Sequence, residues 1–140
     1  MALPGGHHDA SDADLVVTAL RETHEEVGLE LDREAEWIGF LERARVHAGA
    51  RAGFEILPLV FAVTRDVELR PNPREVKAVV WAKLDELLLP AAHISVAYPG
   101  PAGAERSRLP GFDVQGHVVW GLTYRILSDL LSVWGQGSAR

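Results

Sequence analysis

The sequence predicts an α+β fold in which a sheet is packed between helices. Three observations support this prediction: an amphipathic helix pattern near the start, short β-branched and aromatic runs in the middle, and a longer helix pattern near the end. The chain has 140 residues, the length of one domain, and 47% of them are hydrophobic, enough for a packed core. We therefore expect a single domain over residues 1–140.

The first helix is predicted over residues 13–27. Its apolar residues recur at the spacing of one helix face, and they are Leu15, Val16, Ala19, Leu20 and Val27. Ser11 or Asp12 is placed to cap the start of this helix, and Gly28 is placed to end it.

A hairpin is predicted after the first helix, because residues 37–44 and 54–64 are strand-like runs separated by a Gly/Ala turn. The second run is nearly all apolar, so we expect that strand to lie centrally in its sheet. Residues 76–82 follow a PNP turn and predict a third strand, and the DELLL segment after them predicts a helical turn. Residues 98–111, rich in Gly, Pro and Ala, predict a loop.

The last helix is predicted over residues 119–134. Its apolar stripe consists of Val119, Leu122, Ile126, Leu127, Leu130, Val133 and Trp134. Polar side chains occupy the opposite face, so this helix is expected to pack one side against the sheet.

The charge of the chain limits its partners. A net charge of −6 and a pI near 5.5 disfavour a nucleic-acid partner, because such proteins cluster Lys and Arg against phosphates. There is no cysteine, so a metal would be held by oxygen or imidazole groups. No apolar run is long enough to span a bilayer and the start does not resemble a signal peptide, so the sequence predicts no membrane partner and a cytoplasmic location.

A carboxylate face is the feature most informative about chemistry. After the glycine loop at Gly5 and Gly6, the predicted helix contains Glu22, Glu25 and Glu26 at i, i+3 and i+4, which places them on one side. A positive group is expected to offset their mutual repulsion, and a hard divalent cation such as Mg²⁺ or Mn²⁺ is the natural candidate. In an arbitrary helix, a solvated acidic face would be the better interpretation.

The surrounding motif decides between these interpretations. Residues 21–29, RETHEEVGL, resemble the second half of the Nudix box, with Thr23 where an aliphatic residue is usual. In the first half, Asp12 replaces the usual glutamate, and eight residues instead of seven separate it from Arg21. This spacing is typical of the branch that resembles coenzyme A pyrophosphatases. The resemblance implies a Nudix-type α/β/α sandwich with a mixed sheet.

The resemblance also implies roles for site residues. Glu22, Glu25, Glu26 and the Gly6 backbone carbonyl would ligate Mg²⁺ or Mn²⁺, and Gly5 and Gly6 would contact the substrate. The residues implied as catalytic are Arg21, Glu25, Glu26 and Glu75. Arg21 would pair with Glu25 and hold it in place. His7, His8 and Asp9 are adjacent in a tight loop and cannot all face one ion, so a loop role is favoured for them.

Glu75 is the candidate for a fourth carboxylate from a loop. It lies six residues before Trp81, which is similar to the loop glutamate of some Nudix proteins. An ordinary turn residue beside Pro73 is an equally good interpretation, and Glu105 in a later loop is the alternative. The assignment requires the turn over residues 71–74 to deliver Glu75 to the end of the sheet where the Gly5–Gly6 loop lies.

The implied activity is metal-dependent hydrolysis of the pyrophosphate bond in a nucleoside diphosphate derivative, with coenzyme A or an acyl-CoA as the first expectation. Another dinucleotide, such as NADH or ADP-ribose, is the alternative substrate. A catalytically silent nucleotide-binding module is the alternative class. Nudix domains ordinarily have strands before this loop, so the resemblance implies an N-terminally truncated domain lacking its leading strands. An exposed sheet edge would then favour a homodimer.

Overall fold

The computed structural model describes residues 1–46, 53–98 and 107–137, and these form two compact units. We call Leu3–Val79 the first unit and Val80–Arg140, with Met1–Ala2, the second unit. Each unit combines helices with short strands, which confirms the predicted α+β class. The strand pairs that the structure describes are all antiparallel, whereas a mixed sheet was expected.

The first unit contains two helices and four strands. In chain order these are α1 (Leu15–Val27), α2 (Leu31–Glu34), β1 (Ala35–Phe40), β2 (Ala44–Arg45), β3 (Glu55–Ile56) and β4 (Leu59–Val63). β1 pairs with β4, and β2 pairs with β3. Val27, Leu29 and Leu31 are buried where α1 and α2 meet Phe61 and Val63 of β4, so the core anchors the end of α1 to the sheet.

The ends of α1 are set by local residues. Asp14, and neither Ser11 nor Asp12, caps the start, because its Oδ1 accepts hydrogen bonds from the backbone N–H groups of residues 16 and 17 at 2.8 and 2.9 Å. The Asp12 carboxylate is bound elsewhere and is therefore not free to cap the helix. Gly28 ends the helix with φ +71°, as predicted.

The middle of the chain corrects two strand predictions. The predicted hairpin is present as the β1–β4 and β2–β3 ladders, with residues 47–52 of its turn outside the described residues. Within the described ranges β4 pairs only with β1, so the expectation of a central strand was wrong. Residues 76–82 form no strand, because none of the described strands pairs with them.

The second unit contains a three-stranded sheet between helical segments. Its elements are α3 (Leu84–Leu87), a 3₁₀-helix (Pro90–Ala92), β5 (His93–Tyr98), β6 (Ser107–Val114), β7 (His117–Trp120) and α4 (Gly121–Gly137). The strand order is β5–β6–β7. Phe112, Val114 and Val119 form the core of this unit with Leu87 and Leu131.

The second unit contains the predicted helical turn in DELLL as α3. The predicted loop and the predicted start of the last helix both need correction. The loop prediction was wrong for Tyr98, which ends β5, and for residues 107–111, which lie in β6; residues 99–106 are outside the described residues. A Cβ at Gly111 would lie 2.7 Å from the Val119 carbonyl oxygen, so glycine there permits close strand packing. The last helix starts at Gly121, because Val119 belongs to β7. No helix in the described ranges is long and apolar enough to cross a membrane.

Candidate metal and pyrophosphate site

The site lies in the first unit, where the turn over residues 70–75 docks on the end of α1. The Arg70 backbone N–H donates to the Val27 carbonyl at 2.7 Å, and the Asn72 N–H donates to the Glu26 carbonyl at 2.8 Å. A Cβ at Gly28 would lie only 2.8 Å from the Arg70 Cβ, so the absent side chain permits this docking. The turn is therefore fixed to the helix that carries the glutamates.

The pKa of Glu26 depends on the charges of two other predicted site residues, Glu22 and Glu75. Partial burial raises the pKa of Glu26, the Gly5 backbone N–H opposes this by donating to it, and the negative charges of Glu22 and Glu75 raise it further. A Cβ at Gly6 would overlap the Glu22 carboxylate, so the loop backbone lies directly against that side chain. Glu22 and Glu75 thus lie near enough to Glu26 for their charges to act on it, and Glu22 and Glu26 both meet the Gly5–Gly6 loop.

Glu75 is held by its own turn. Its backbone N–H donates to the Asn72 carbonyl at 3.1 Å, and the Asn72 side-chain amide donates to Glu75 Oε1 at 3.2 Å. Glu75 lies near enough to Glu26 for its charge to act on that carboxyl group, and the catalytic role of Glu75 stays a prediction. The alternative candidate, Glu105, lies outside the described residues.

Arg21 binds more partners than the sequence analysis expected. Its Nη1 donates to Glu22 Oε1 at 3.0 Å and to Glu25 Oε2 at 3.2 Å, and the second contact is the expected i, i+4 pair. Its Nε and Nη2 donate to Asp12 Oδ1 and Oδ2 at 3.1 and 2.9 Å. Nη2 also donates to the His7 carbonyl at 3.1 Å. One guanidinium therefore links the glycine loop to two of the expected ligands.

Asp12 is the residue that the sequence analysis missed. Its side chain is only 3% exposed, and its Oδ2 also accepts hydrogen bonds from the Asp9 N–H at 3.0 Å and the Thr18 hydroxyl at 2.9 Å. The hydrogen bonds from Arg21, and then that from Asp9, hold the pKa of Asp12 well below its usual range. The same contact with Asp12 raises the pKa of Arg21. The available signal was the place of Asp12 in the box, where the motif has a glutamate.

The side chains of the glycine loop point to separate partners. His8 Nδ1 lies 3.1 Å from the Thr18 hydroxyl, and the His7 ring contacts Phe54. Asp9 Oδ1 accepts from the backbone N–H and the hydroxyl of Ser11, and these bonds lower the pKa of Asp9. This divergence agrees with the loop role that was favoured for the three residues.

The chemistry of the donor set fits a hard divalent cation, because carboxylate and carbonyl oxygens are the ligands that Mg²⁺ and Mn²⁺ prefer. In the parts of the chain that the structure describes, no three His, Asp or Glu side chains converge closely enough to hold an ion. Glu22 and Glu25 are instead bound to Arg21. Arg21 contacts one oxygen of each carboxylate, Glu22 Oε1 and Glu25 Oε2.

Comparison with known proteins identifies the family of the chain. A family model described as the NUDIX domain matches residues 1–99. The chain is 32% identical over 130 residues to the Nudix hydrolase NudL of Enterobacter sp. strain 638, which covers 93% of the chain and 64% of the relative. It is 35% identical over 140 residues to the human mitochondrial coenzyme A diphosphatase NUDT8, which covers 99% of the chain and 57% of the relative.

The mouse protein of the same name is also 35% identical, with 98% of the chain and 63% of the relative covered. The chain thus spans between 57 and 64% of the length of these curated relatives. The family model covers residues 1–99, which include the glycine loop, α1 and the turn with Glu75. The chain therefore belongs to the Nudix family.

Proposed function

We propose that this protein is a divalent-metal-dependent hydrolase of the pyrophosphate bond in a nucleoside diphosphate derivative, with coenzyme A or an acyl-CoA as the first substrate to test. The observation that supports this most is the grouping of Glu22, Glu26 and Glu75 beside the Gly5–Gly6 loop. The names of the human and mouse relatives support the choice of coenzyme A.

The residues proposed to hold the metal are Glu22, Glu25, Glu26 and the Gly6 backbone carbonyl. Divalent metals are general cofactors of Nudix hydrolases, and we propose Mg²⁺ or Mn²⁺ for this chain. When bound, such an ion polarises phosphoryl oxygens and lowers the pKa of a water molecule. Three carboxylates on one side of α1 supply the negative charge that this binding needs.

The residues of the chain have separate proposed tasks. The Gly5 and Gly6 backbone lies against the glutamates without side chains of its own, which leaves room for a diphosphate to approach. Glu26 and Glu75 are the two candidates for accepting a proton from attacking water, because both carboxylates lie in this part of the site. Arg21 positions Glu25 through their ion pair.

The second candidate function is a nucleotide-binding module without catalysis. The ion pairs of Arg21 with Glu22 and Glu25 favour it, because they occupy two of the proposed ligands. Each ion pair uses one oxygen of its carboxylate, and a module that never binds metal would keep both pairs unchanged.

Product analysis separates the two functions. The protein is incubated with Mg²⁺ or Mn²⁺ and a panel of coenzyme A, acyl-CoA, NADH and ADP-ribose, and products are separated by chromatography. The proposal expects cleavage of coenzyme A into two monophosphate esters, adenosine 3′,5′-bisphosphate and 4′-phosphopantetheine, that stops when the metal is chelated. Tight nucleotide binding without products would support the silent module. If only NADH or ADP-ribose is cleaved, that compound replaces coenzyme A as the proposed substrate.

The remaining predictions about partners and location need separate tests. The homodimer stays a prediction, which light scattering during size-exclusion chromatography would test. The cytoplasmic location also stays a prediction, and the name of the human relative places that protein in mitochondria.

A further inference from the structure

The geometry points to Phe54 as a positioning residue of the site, which fixes the glycine loop through the His7 ring and thereby sets the orientation of Arg21. This inference rests on the proposed function where it concerns metal binding. The orientation of Arg21 itself is measurable without metal.

Two contacts of His7 form the connection. Its ring meets the Phe54 ring nearly edge to face, with centroids 5.2 Å apart and an interplanar angle of 81°. Its backbone carbonyl accepts a hydrogen bond from Arg21 Nη2 at 3.1 Å. A displacement of the His7 backbone is therefore transmitted to the guanidinium that binds Glu22 and Glu25.

The glycine loop depends on such support. Gly5 has φ +148°, and residues 5–8 are exposed. In the described residues, the hydrogen bonds of the loop side chains run to α1 or stay within the loop, as with His8 to Thr18 and Asp9 to Ser11. The ring contact is what ties the loop to the β2–β3 hairpin. Two flexible glycines beside it increase the entropy that this contact must offset.

Phe54 is suited to this role because its backbone is held while its ring is largely free of the core. Its carbonyl accepts from the Val46 N–H at 3.0 Å, and the next residue pairs with Arg45 in the β2–β3 ladder. The side chain is 45% exposed, and it belongs to neither core cluster. Removing the ring should therefore leave the fold intact and release the loop.

The test compares Phe54→Ala with two matched variants. Phe54→Tyr keeps the ring and is the rescue. Phe40→Ala removes an equally large side chain that is 69% exposed on β1 and has no ring partner in the described residues, so it controls for loss of surface aromatic area. His7→Ala removes the other ring of the pair.

The measurements are the Arg21 Nε–H resonance of the metal-free protein and the Mg²⁺ affinity by calorimetry. We expect Phe54→Ala to move the Arg21 resonance and to weaken Mg²⁺ binding by roughly two- to tenfold, the range for an aromatic pair. His7→Ala should give the same changes. The double variant, His7→Ala with Phe54→Ala, should change the resonance and the affinity little further, because each single substitution already removes the same ring contact. Phe54→Tyr and Phe40→Ala should resemble the wild type.

An Arg21 resonance that stays unmoved in Phe54→Ala, or moves equally in Phe40→Ala, overturns the inference whatever happens to metal affinity. If the wild type binds no Mg²⁺, the proposed function fails while the resonance still decides the positioning role. If the wild type binds Mg²⁺ and cleaves substrate but Phe54→Ala leaves the resonance in place, only the positioning role fails.

Discussion

Gly28→Ala is the substitution for which the structure makes the sharpest prediction. Gly28 ends α1 in the left-handed region at φ +71°, and a Cβ there would lie 2.8 Å from the Arg70 Cβ and 3.2 Å from its carbonyl oxygen. Alanine would therefore be strained and would push on a backbone that donates to Val27 at 2.7 Å. The same turn carries Glu75, so stability and the site should change together.

The expected cost has two parts. The left-handed conformation costs a non-glycine residue about 1–2 kcal/mol. Crowding of the Arg70 backbone adds about 1–3 kcal/mol, the range for an overpacked contact. We therefore expect Gly28→Ala to lower the free energy of unfolding by about 2–5 kcal/mol.

Urea unfolding at equilibrium measures this loss, and Gly116→Ala supplies the matched control. Gly116 also has positive φ, +82°, but a Cβ there would meet nothing within 4 Å, so only the conformational cost applies. Gly28→Ala should be less stable than Gly116→Ala by at least about 1 kcal/mol. Equal losses in the two variants would refute the argument that close packing of the turn on α1 holds the site together.

Two further predictions concern charge. Because the pKa of Asp12 is lowered in the folded protein, its contacts stabilise the fold above the ordinary carboxyl value of 3.8 and this contribution disappears as the pH falls. Asp12→Asn should thus have a lower free energy of unfolding than the wild type near neutral pH, and this difference should become smaller in acid. A difference that stays constant when unfolding is measured across pH would contradict this. Millimolar Mg²⁺ should raise the melting temperature of the wild type. At a Mg²⁺ concentration a hundred times the dissociation constant, binding adds about 2.7 kcal/mol to the free energy of unfolding. An unchanged melting temperature would count against the metal site.

Sequence reasoning worked best where neighbours along the chain decide the structure. The helix over α1, its end at Gly28 and the i, i+4 pair of Arg21 with Glu25 depend on residues within one or two turns. The grouping of the helical glutamates follows from the same spacing. Long motifs add positional information, which is why Glu75, whose charge acts on Glu26, is a candidate from the sequence alone.

Sequence reasoning worked least well where partners distant along the chain determine the structure of a residue. Asp12 was considered as a helix cap, but a bidentate ion pair with Arg21 nine residues later holds its carboxylate. Residues 107–111 contain Pro110 and Gly111, which are typical of loops, yet pairing with β5 and β7 makes them a strand. Residues 76–82 show the reverse, since their β-branched composition finds no partner strand in the described residues.

Hydrolysis of coenzyme A at saturating Mg²⁺ by the wild type, Glu22→Gln and Glu26→Gln tests the central claim most directly. Each substitution removes the charge of a proposed metal ligand while keeping its size, so turnover should fall by roughly a hundredfold with little change in folding. Glu36→Gln, which changes an exposed carboxylate on β1, should keep wild-type turnover. Near-normal turnover in Glu22→Gln or Glu26→Gln would contradict the ligand assignment and with it the proposed mechanism.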